Sequence, residues 1–517
     1  MVKLKIDNRE VEAKRGAVLM EVIRETGTDV PSMCYLKGEA HFTSCMVCVV
    51  KDRKSGKLIP SCSLEVEEGM DILSADEEVL EARKTSLELL LSEHVGDCEA
   101  PCQLTCPAHM NIPLMNRLLA KGEFGEALKV VKRDIALPSI LGRICPAPCE
   151  GACRRKSIDQ AVSICLLKRF AGDADLGLDQ SWIPPAKKAT GKRVTIIGAG
   201  PAGLAAAWHL ALKGHACTVV DRNEKAGGSL NKEVDPGLLP GKVLQDEIKL
   251  IRRAGVVFHT GTPVDAESFK EISANSDAVV IATGKGESGV ADWGIPMHDK
   301  GVEADGITYR VEASHLFVVG SALKPARMAI RALGQGKEAA YSVDQFLRGE
   351  AVSGEKFMFS SRFGKLLPAE HGEYLKESKP GPRLEPEVLA NGLTAAQVME
   401  EAARCLHCDC RDLENCSLRN YSGLYGADQK RFKSDQRALC RKVDRHDLVI
   451  YEPSKCIKCG ICVRITEKYM EPFGLTFVGR GFEVVVDIPF SEPLASGLSK
   501  AALEVAEGCP TGAITKR

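Results

Sequence analysis

The chain has 517 residues, 44% of them hydrophobic, with 69 basic side chains against 70 acidic and a formal charge of −1. That length predicts three or four domains with buried cores, and the charge balance and 5% aromatic content give no reason to expect nucleic acid or an anionic membrane as partner. No run approaches eighteen apolar residues and the first sixteen lack a signal-peptide core, so a soluble, cytoplasmic protein without membrane insertion is expected.

The informative number is 21 cysteines. In a small secreted chain they would suggest disulfides; in a long chain without an export signal they point to metal ligation. Nineteen fall into groups with cluster-like spacing, and Cys217 and Cys440 stand apart as ordinary thiols.

Residues 2–12, VKLKIDNREVE, alternate apolar and polar around Asp7-Asn8, as a hairpin does. A short helical pattern, AVLMEVIRETG, follows, and then Cys34, Cys45, Cys48 and Cys62 at intervals of ten, two and thirteen residues. Four thiolates can hold a 2Fe–2S cluster, two sulfurs to each iron; a structural zinc site is the alternative. The segment, 1–78, resembles the β-grasp domain that opens iron-only hydrogenases and the large iron–sulfur subunit of NADH–quinone oxidoreductases.

The next block, 79–182, carries His94, Cys98, Cys102 and Cys106 in EHVGDCEAPCQLTCPAHMNIP, then Cys145, Cys149, Cys153 and Cys165. Prolines after Cys106 and Cys145 suit the sharp turns that 4Fe–4S sites need. The block resembles the helical N-terminal domain of the glutamate synthase small subunit and of dihydropyrimidine dehydrogenase. That resemblance implies two 4Fe–4S clusters, one on Cys98, Cys102 and Cys153, the other on Cys106, Cys145 and Cys149. Where the relatives place a Glu or Gln as a further ligand, this chain has Lys168, which cannot ligate iron while charged. Cys165, one helical turn earlier, could substitute, or be a buried helix thiol. His94 could complete the other set, as in the His-x3-Cys start of a site in the NADH–quinone oxidoreductase subunit, or be a surface histidine.

After the linker SWIPPAKKATGK comes RVTIIGAGPAGLAAAWHLALKGHACTVVD: strand, glycine turn, helix, strand, acid. Gly198 permits the tight turn and Gly200 lets the backbone approach a pyrophosphate. Gly203 lets the helix, opened by Pro201, pack close to the sheet, and Asp221 can bond a ribose. Gly227 and Gly228 repeat a Gly-Gly pair of glutamate synthase small-subunit flavoproteins. The same resemblance makes 190–350 a Rossmann-like FAD domain in which Thr283 and Gly284 close one side of the site. Gly320 and Ser321 replace the usual Gly-Asp beside the flavin. A second glycine pattern, Gly284, Gly286 and Gly289, is read as chance: Gly294 and Pro296 interrupt any helix after it, and about thirty residues before the closing strand are too few for a nicotinamide domain.

Residues 351–440 contain the extended stretch SKPGPRLEP and a compact set, Cys405, Cys408, Cys410 and Cys416. That set suits 4Fe–4S or zinc, with His407 expected at the surface. In 441–517, Cys456, Cys459 and Cys462 form a C-x2-C-x2-C run, Thr466 occupies the place of a fourth cysteine, and Cys509 stands alone. The segment resembles a ferredoxin-like α+β domain that has kept one 4Fe–4S site and lost the other.

The fold expected is thus multidomain α/β, holding one FAD, one 2Fe–2S and about four 4Fe–4S clusters. No acid–base or nucleophile set stands out. The leading function is an electron-transfer subunit of an anaerobe's oxidoreductase, partnered by an NADH-dehydrogenase flavoprotein-like subunit, a hydrogenase or a formate dehydrogenase, with ferredoxin as a further partner. The alternatives are a self-sufficient NAD(P)H oxidoreductase like the glutamate synthase small subunit, and a redox-sensing or zinc-bearing scaffold.

Overall fold

The computed structural model describes residues 1–517 apart from 41, 286–288, 300, 326, 435–436 and 443–445, and apart from the side chain of Phe482. Gly286 of the second glycine pattern therefore lies outside the described residues. The chain forms two compact units, each discontinuous in sequence: Met1–Glu99 with Met358–Glu377 and Cys408–Arg517, and Ala100–Phe357 with Ser378–His407. The cysteine runs at 98–106 and 405–416 are each divided between the two.

In the first unit, the alternating N-terminal segment becomes a hairpin of β1 (Val2–Ile6) and β2 (Arg9–Ala13). Asp7 and Asn8 take φ of 49° and 69° at its turn, a conformation these two residue types tolerate better than most. Val2, Leu4 and Ile6 face the core while Lys3 and Lys5 face solvent. With β3 (Val49–Asp52), β4 (Lys57–Pro60) and β5 (Asp71–Leu73) they form a mixed sheet, β2-β1-β5-β3-β4, in which only β1 and β5 are parallel. The helix Leu19–Glu25 lays Leu19, Met20, Val22 and Ile23 on this core. The helix Glu77–Glu93 starts at Asp76, whose carboxylate accepts from the Val79 N–H at 2.8 Å. Its buried Arg83 donates to Val49 O and Ser74 O, at 2.9 and 2.8 Å, tying the helix to the sheet.

A second core in this unit gathers Leu87, Leu91, Val449, Tyr451, Ile461, Ile465, Val486, Val505 and Ile514. The strand Val449–Tyr451 pairs antiparallel with Ile514–Lys516, and Thr476–Val478 with Val485–Asp487. The first pairing returns the chain end, just after Cys509, to the strand just before Cys456. Cys34, Cys45, Cys416 and Cys459 belong to the same core.

The second unit joins a helical part to a parallel sheet. β6 (Arg193–Ile197), β7 (Ala216–Asp221), β8 (Val257–Thr260), β9 (Ala278–Ile281) and β10 (Leu316–Val318) lie in the order β10-β9-β6-β7-β8, all parallel. β9 is buried at every position, as a central parallel strand covered on both faces should be. The helix Pro201–Leu212 follows β6, and Ala329–Leu347 packs on it so closely that a Cβ at Gly336 would stand 2.3 Å from Ala202 O. In the helical part, Pro138–Ile144 crosses Ile164–Leu176 at two glycines: a Cβ at Gly142 would meet Arg169 Cβ at 2.3 Å, and one at Gly172 would meet Ser139 N at 2.8 Å. Among the described residues no helix is long and apolar enough to cross a membrane.

Candidate redox sites

Four loops converge at the C-terminal ends of the parallel strands, where open α/β sheets bind ligands at the point of strand-order reversal. That point lies between β6 and β9. After β6, Gly198 has φ 114° and a Cβ there would strike Ala282 O at 2.3 Å, so the turn touches the Ala282–Gly284 loop that follows β9. A Cβ at Gly203 would stand 2.0 Å from Gly198 O, whereas one at Gly200 would meet no atom within 4 Å. Gly198 and Gly203 are thus required by packing, and Gly200 faces open space at the N-terminus of the helix begun by Pro201. This is the place where backbone amides and the helix dipole favour a phosphate.

Asp221 ends β7 buried, with Oδ2 accepting from Ala199 N–H at 2.6 Å and Oδ1 from Asn223 N–H at 2.7 Å. The carboxylate therefore holds the glycine turn and keeps lone pairs in hand for a hydroxyl. Gly228, φ 54°, comes near the turn, since its Cβ would stand 2.8 Å from Gly200 Cα. Gly320, φ 67°, donates its N–H to Gln335 Oε1 at 2.9 Å and approaches Ala202, with Ser321 next in the same turn. Gln335, which no motif flagged, therefore fixes the closing loop. Thr283 and Gly284 complete the crevice. After Gly289 the described chain makes a 3-10 turn, Val290–Trp293, ended by Gly294 with φ 73°, and Met297–His298 pairs antiparallel with Gly301–Val302 before β10.

The cysteines form buried or half-buried sets. Cys34, Cys45, Cys48 and Cys62 are each at most 5% exposed. Cys34 and Cys45 sulfurs are 3.5 Å apart, and Cys62 hydrogen-bonds with both Cys48 and Cys34. Arg24 holds the approach loop by donating to Val30 O at 2.7 Å and Ser32 Oγ at 3.1 Å, and Ser61 Oγ–H donates to Cys48 O at 2.7 Å.

In the second unit the thiols of Cys145 and Cys149 hydrogen-bond the Cys165 sulfur, and Cys106 adjoins Cys149. Lys168 is 3% exposed, with Nζ 3.8 Å from Cys165 Sγ, and the thiols of Cys165, Cys145, Cys149 and Cys106 all favour its charged form against the cost of burial. A buried ammonium needs a negative partner, and this one faces four thiols. Glu150 accepts from Cys165 N–H at 2.9 Å and pairs with Arg383 at 2.8 Å, fixing the start of the helix that carries Cys165. The short helix Pro101–Thr105, with Cys102, packs on Pro148–Gly151, which precedes Cys153.

In the first unit Cys456, Cys459, Cys462 and Cys509 line one small cavity with Tyr451, Ile461, Val486 and Pro510. Lys458 N–H donates to Cys456 Sγ at 3.3 Å and Ile514 N–H to Cys509 Sγ at 3.5 Å. Thr466 is buried, its hydroxyl donating to Val463 O at 2.9 Å and accepting from Leu475 N–H at 3.1 Å. Cys98 is joined to Cys410, whose N–H donates to Cys98 O at 2.9 Å, while Arg419 donates its N–H to Cys416 Sγ at 3.4 Å and pairs with Glu99 at 3.1 Å.

Two histidines are placed otherwise than as surface residues. His407 is buried at φ 47°, which corrects its expected exposure. His94 is also buried; its Nδ1–H donates to Lys455 O at 3.0 Å and burial pushes its pKa down to about 4, so the ring is neutral. Cys217 and Cys440 stay apart as buried thiols, both pushed up to about 12 by burial. Among the described residues no three His, Cys, Asp or Glu side chains converge on a single metal ion; a polynuclear cluster instead spreads its sulfurs over several irons.

Residues 1–77 match the 2Fe–2S iron–sulfur cluster binding domain, 79–179 match domain II of dihydropyrimidine dehydrogenase, a 4Fe–4S cluster domain, and 196–254 match the NAD(P)-binding Rossmann-like domain. Three segments in the N-terminal half of the chain thus match iron–sulfur and dinucleotide-binding domains. It is 34% identical over 296 residues to the NADPH-Fe(3+) oxidoreductase subunit beta of Geobacter sulfurreducens, covering 56% of this chain and 43% of that one. It is 38% identical over 201 residues to the glutamate synthase [NADPH] small chain of Bacillus subtilis, covering 36% and 40%. It is 34% identical over 224 residues to the NADP(+)-dependent formate dehydrogenase subunit beta of Moorella thermoacetica, covering 39% and 31%. These relatives are named oxidoreductases or their subunits, and the chain spans less than half the length of each.

Proposed function

We propose that the chain is an iron–sulfur flavoprotein electron-transfer subunit that takes its electrons through partner subunits rather than from a nicotinamide of its own. The observation that carries this reading is contiguity within each unit. In the second unit the helix Ala329–Leu347, which supports the Gly320-Ser321 loop, also meets the Cys106 loop: a Cβ at Gly334 would stand 2.4 Å from Pro107 O, and Lys337 Nζ donates to Ala108 O at 3.1 Å. In the first unit Cys34 and Cys45 share a core with Cys459 and Cys416, and Cys416 Sγ lies 3.8 Å from the carbonyl of Pro510, next to Cys509. Thiol sets that share one packed core keep electron transfers short.

FAD, when bound, accepts two electrons together and releases them singly to iron–sulfur centres. Gly200, with the amides after it, would receive its pyrophosphate, Asp221 its ribose, and Thr283, Gly284, Gly320 and Ser321 its flavin end. Cys34, Cys45, Cys48 and Cys62 suit one 2Fe–2S cluster. Cys106, Cys145, Cys149 and Cys165 suit one 4Fe–4S cluster, with Cys165 in place of the relatives' carboxylate or amide. Cys456, Cys459, Cys462 and Cys509 suit a second, in a ferredoxin-like domain that uses Thr466 for structure. Cys98, Cys102, Cys153, Cys405, Cys408, Cys410 and Cys416 supply the remainder. The reading takes a formate dehydrogenase, hydrogenase or NADH-dehydrogenase type of partner in the cytoplasm, and the similarity to a formate dehydrogenase subunit supports the first of these.

The test is anaerobic addition of NADH, then NADPH, to the fully loaded chain. Flavin absorbance should persist and then bleach with dithionite. Rapid bleaching by either nicotinamide would favour a self-sufficient oxidoreductase instead.

A further inference from the structure

The cysteine run 405–416 looks, along the chain, like a self-contained four-ligand site. In space its two ends keep different company. Cys410 N–H donates to Cys98 O at 2.9 Å, and the Cys98 sulfur accepts from Ser361 N–H at 3.4 Å. The Cys416 sulfur accepts from Arg419 N–H at 3.4 Å, and the Arg419 guanidinium pairs at 3.1 Å with Glu99, the residue after Cys98. Cys410 sits against Gly512, where a Cβ would stand 2.9 Å from its sulfur. Lys455, 4% exposed, pairs with Glu452 and packs on Gly96, two residues before Cys98, where a Cβ would stand 2.8 Å from its Cε.

Cys405 belongs to the other unit. Arg155, 1% exposed, donates through Nη1 to Arg404 O at 2.8 Å, while Arg404 pairs with Asp159 at 3.1 Å and Glu401 at 2.8 Å. Two fully buried arginines thus stitch the Arg404-Cys405 step to the Cys153–Arg155 step, and the helix carrying Cys102 packs just before Cys153.

We propose that the run 405–416 does not hold a cluster of its own but serves two clusters: Cys410 and Cys416 bind one together with Cys98, and Cys405 binds the other together with Cys102 and Cys153. This rests on the reading of the chain as an iron–sulfur protein, and it reassigns Cys98 from the set that spacing and resemblance imply.

The experiment is electron paramagnetic resonance with iron and sulfide analysis on the reconstituted full chain and four variants, C98S, C410S, C153S and C405S. C98S and C410S should lose or alter the same cluster signal, and C153S and C405S a different one. If C98S instead alters the signal that C153S alters while C410S alters another, the proposal is overturned; it is equally overturned if C98S leaves every signal and the iron content at the wild-type level. Should C98S fail to fold, the wild-type protein gives the answer by stepwise oxidative loss of iron, alkylation and peptide mass spectrometry. Cys98 should then become labelled with Cys410 and Cys416, and labelling with Cys102 and Cys153 would refute the assignment. Wild-type protein that takes up no iron and sulfide would instead sink the iron–sulfur reading itself.

Discussion

Lys168 shows how one residue can change the meaning of a motif. In the resembling domains that helix supplies a Glu or Gln ligand; here it supplies a cation buried among Cys106, Cys145, Cys149 and Cys165. A fixed positive charge favours the more negative, reduced state of a cluster. At an effective dielectric near 20 and about 5 Å the interaction is on the order of 3.3 kcal/mol, and about 1.4 kcal/mol corresponds to roughly 60 mV for one electron. K168M should therefore make one 4Fe–4S potential more negative, by up to roughly 140 mV, in an EPR-monitored redox titration, and an unchanged potential would show that the lysine does not face that cluster. The glycines divide by the same kind of local geometry. G200A should keep the melting temperature and weaken flavin retention, because its Cβ meets open space. G203A should lose both, with an overpacking cost of about 1–3 kcal/mol.

At the scale of the element, the decisive contacts join segments far apart in sequence. Gly334 lets the helix Ala329–Leu347 touch Pro107, so G334A should cost about 1–3 kcal/mol and slow electron transfer from flavin to the Cys106 set, as stopped-flow reduction would report. In the first unit Glu370 is fully buried; burial pushes its pKa up, but Arg437 and the N–H groups of Cys440 and Leu367 outweigh this and bring it down to about 2. A folded pKa below the unfolded value means stability present above about pH 4.5 and lost as the pH falls toward 2. E370Q should remove about 2–4 kcal/mol at pH 7 and flatten the acid limb of the unfolding profile between those values. The hairpin at Asp7-Asn8, the strand–turn–helix at 193–212 and the Cys456–Cys462 run were legible because each is written in consecutive residues. Gln335, Gly334 and the Cys98–Cys410 contact were not, because their partners lie 15 to 312 residues away and no periodicity encodes such pairings. His407 misled for a related reason: a polar residue between cysteines reads as exposed, yet its loop is folded inward.

Across the whole molecule, sequence order and spatial order part company. Segments that read as successive modules are redistributed into two units, and the divisions fall inside two cysteine runs. Spacing along the chain does not by itself fix how cysteines group, since a cluster is indifferent to which part of the chain delivers each sulfur. On the proposed function, this chain, alone, carries a flavin in electronic contact with several clusters. The most direct measurement is a freeze-quenched reductive titration of the anaerobically reconstituted full chain, following flavin absorbance and the 2Fe–2S and 4Fe–4S EPR signals together. Limiting dithionite should distribute electrons among flavin and clusters within the mixing experiment, with 2Fe–2S and 4Fe–4S signals both present. Zinc without iron and sulfide, or a flavin that becomes reduced while every cluster stays oxidised, would contradict it.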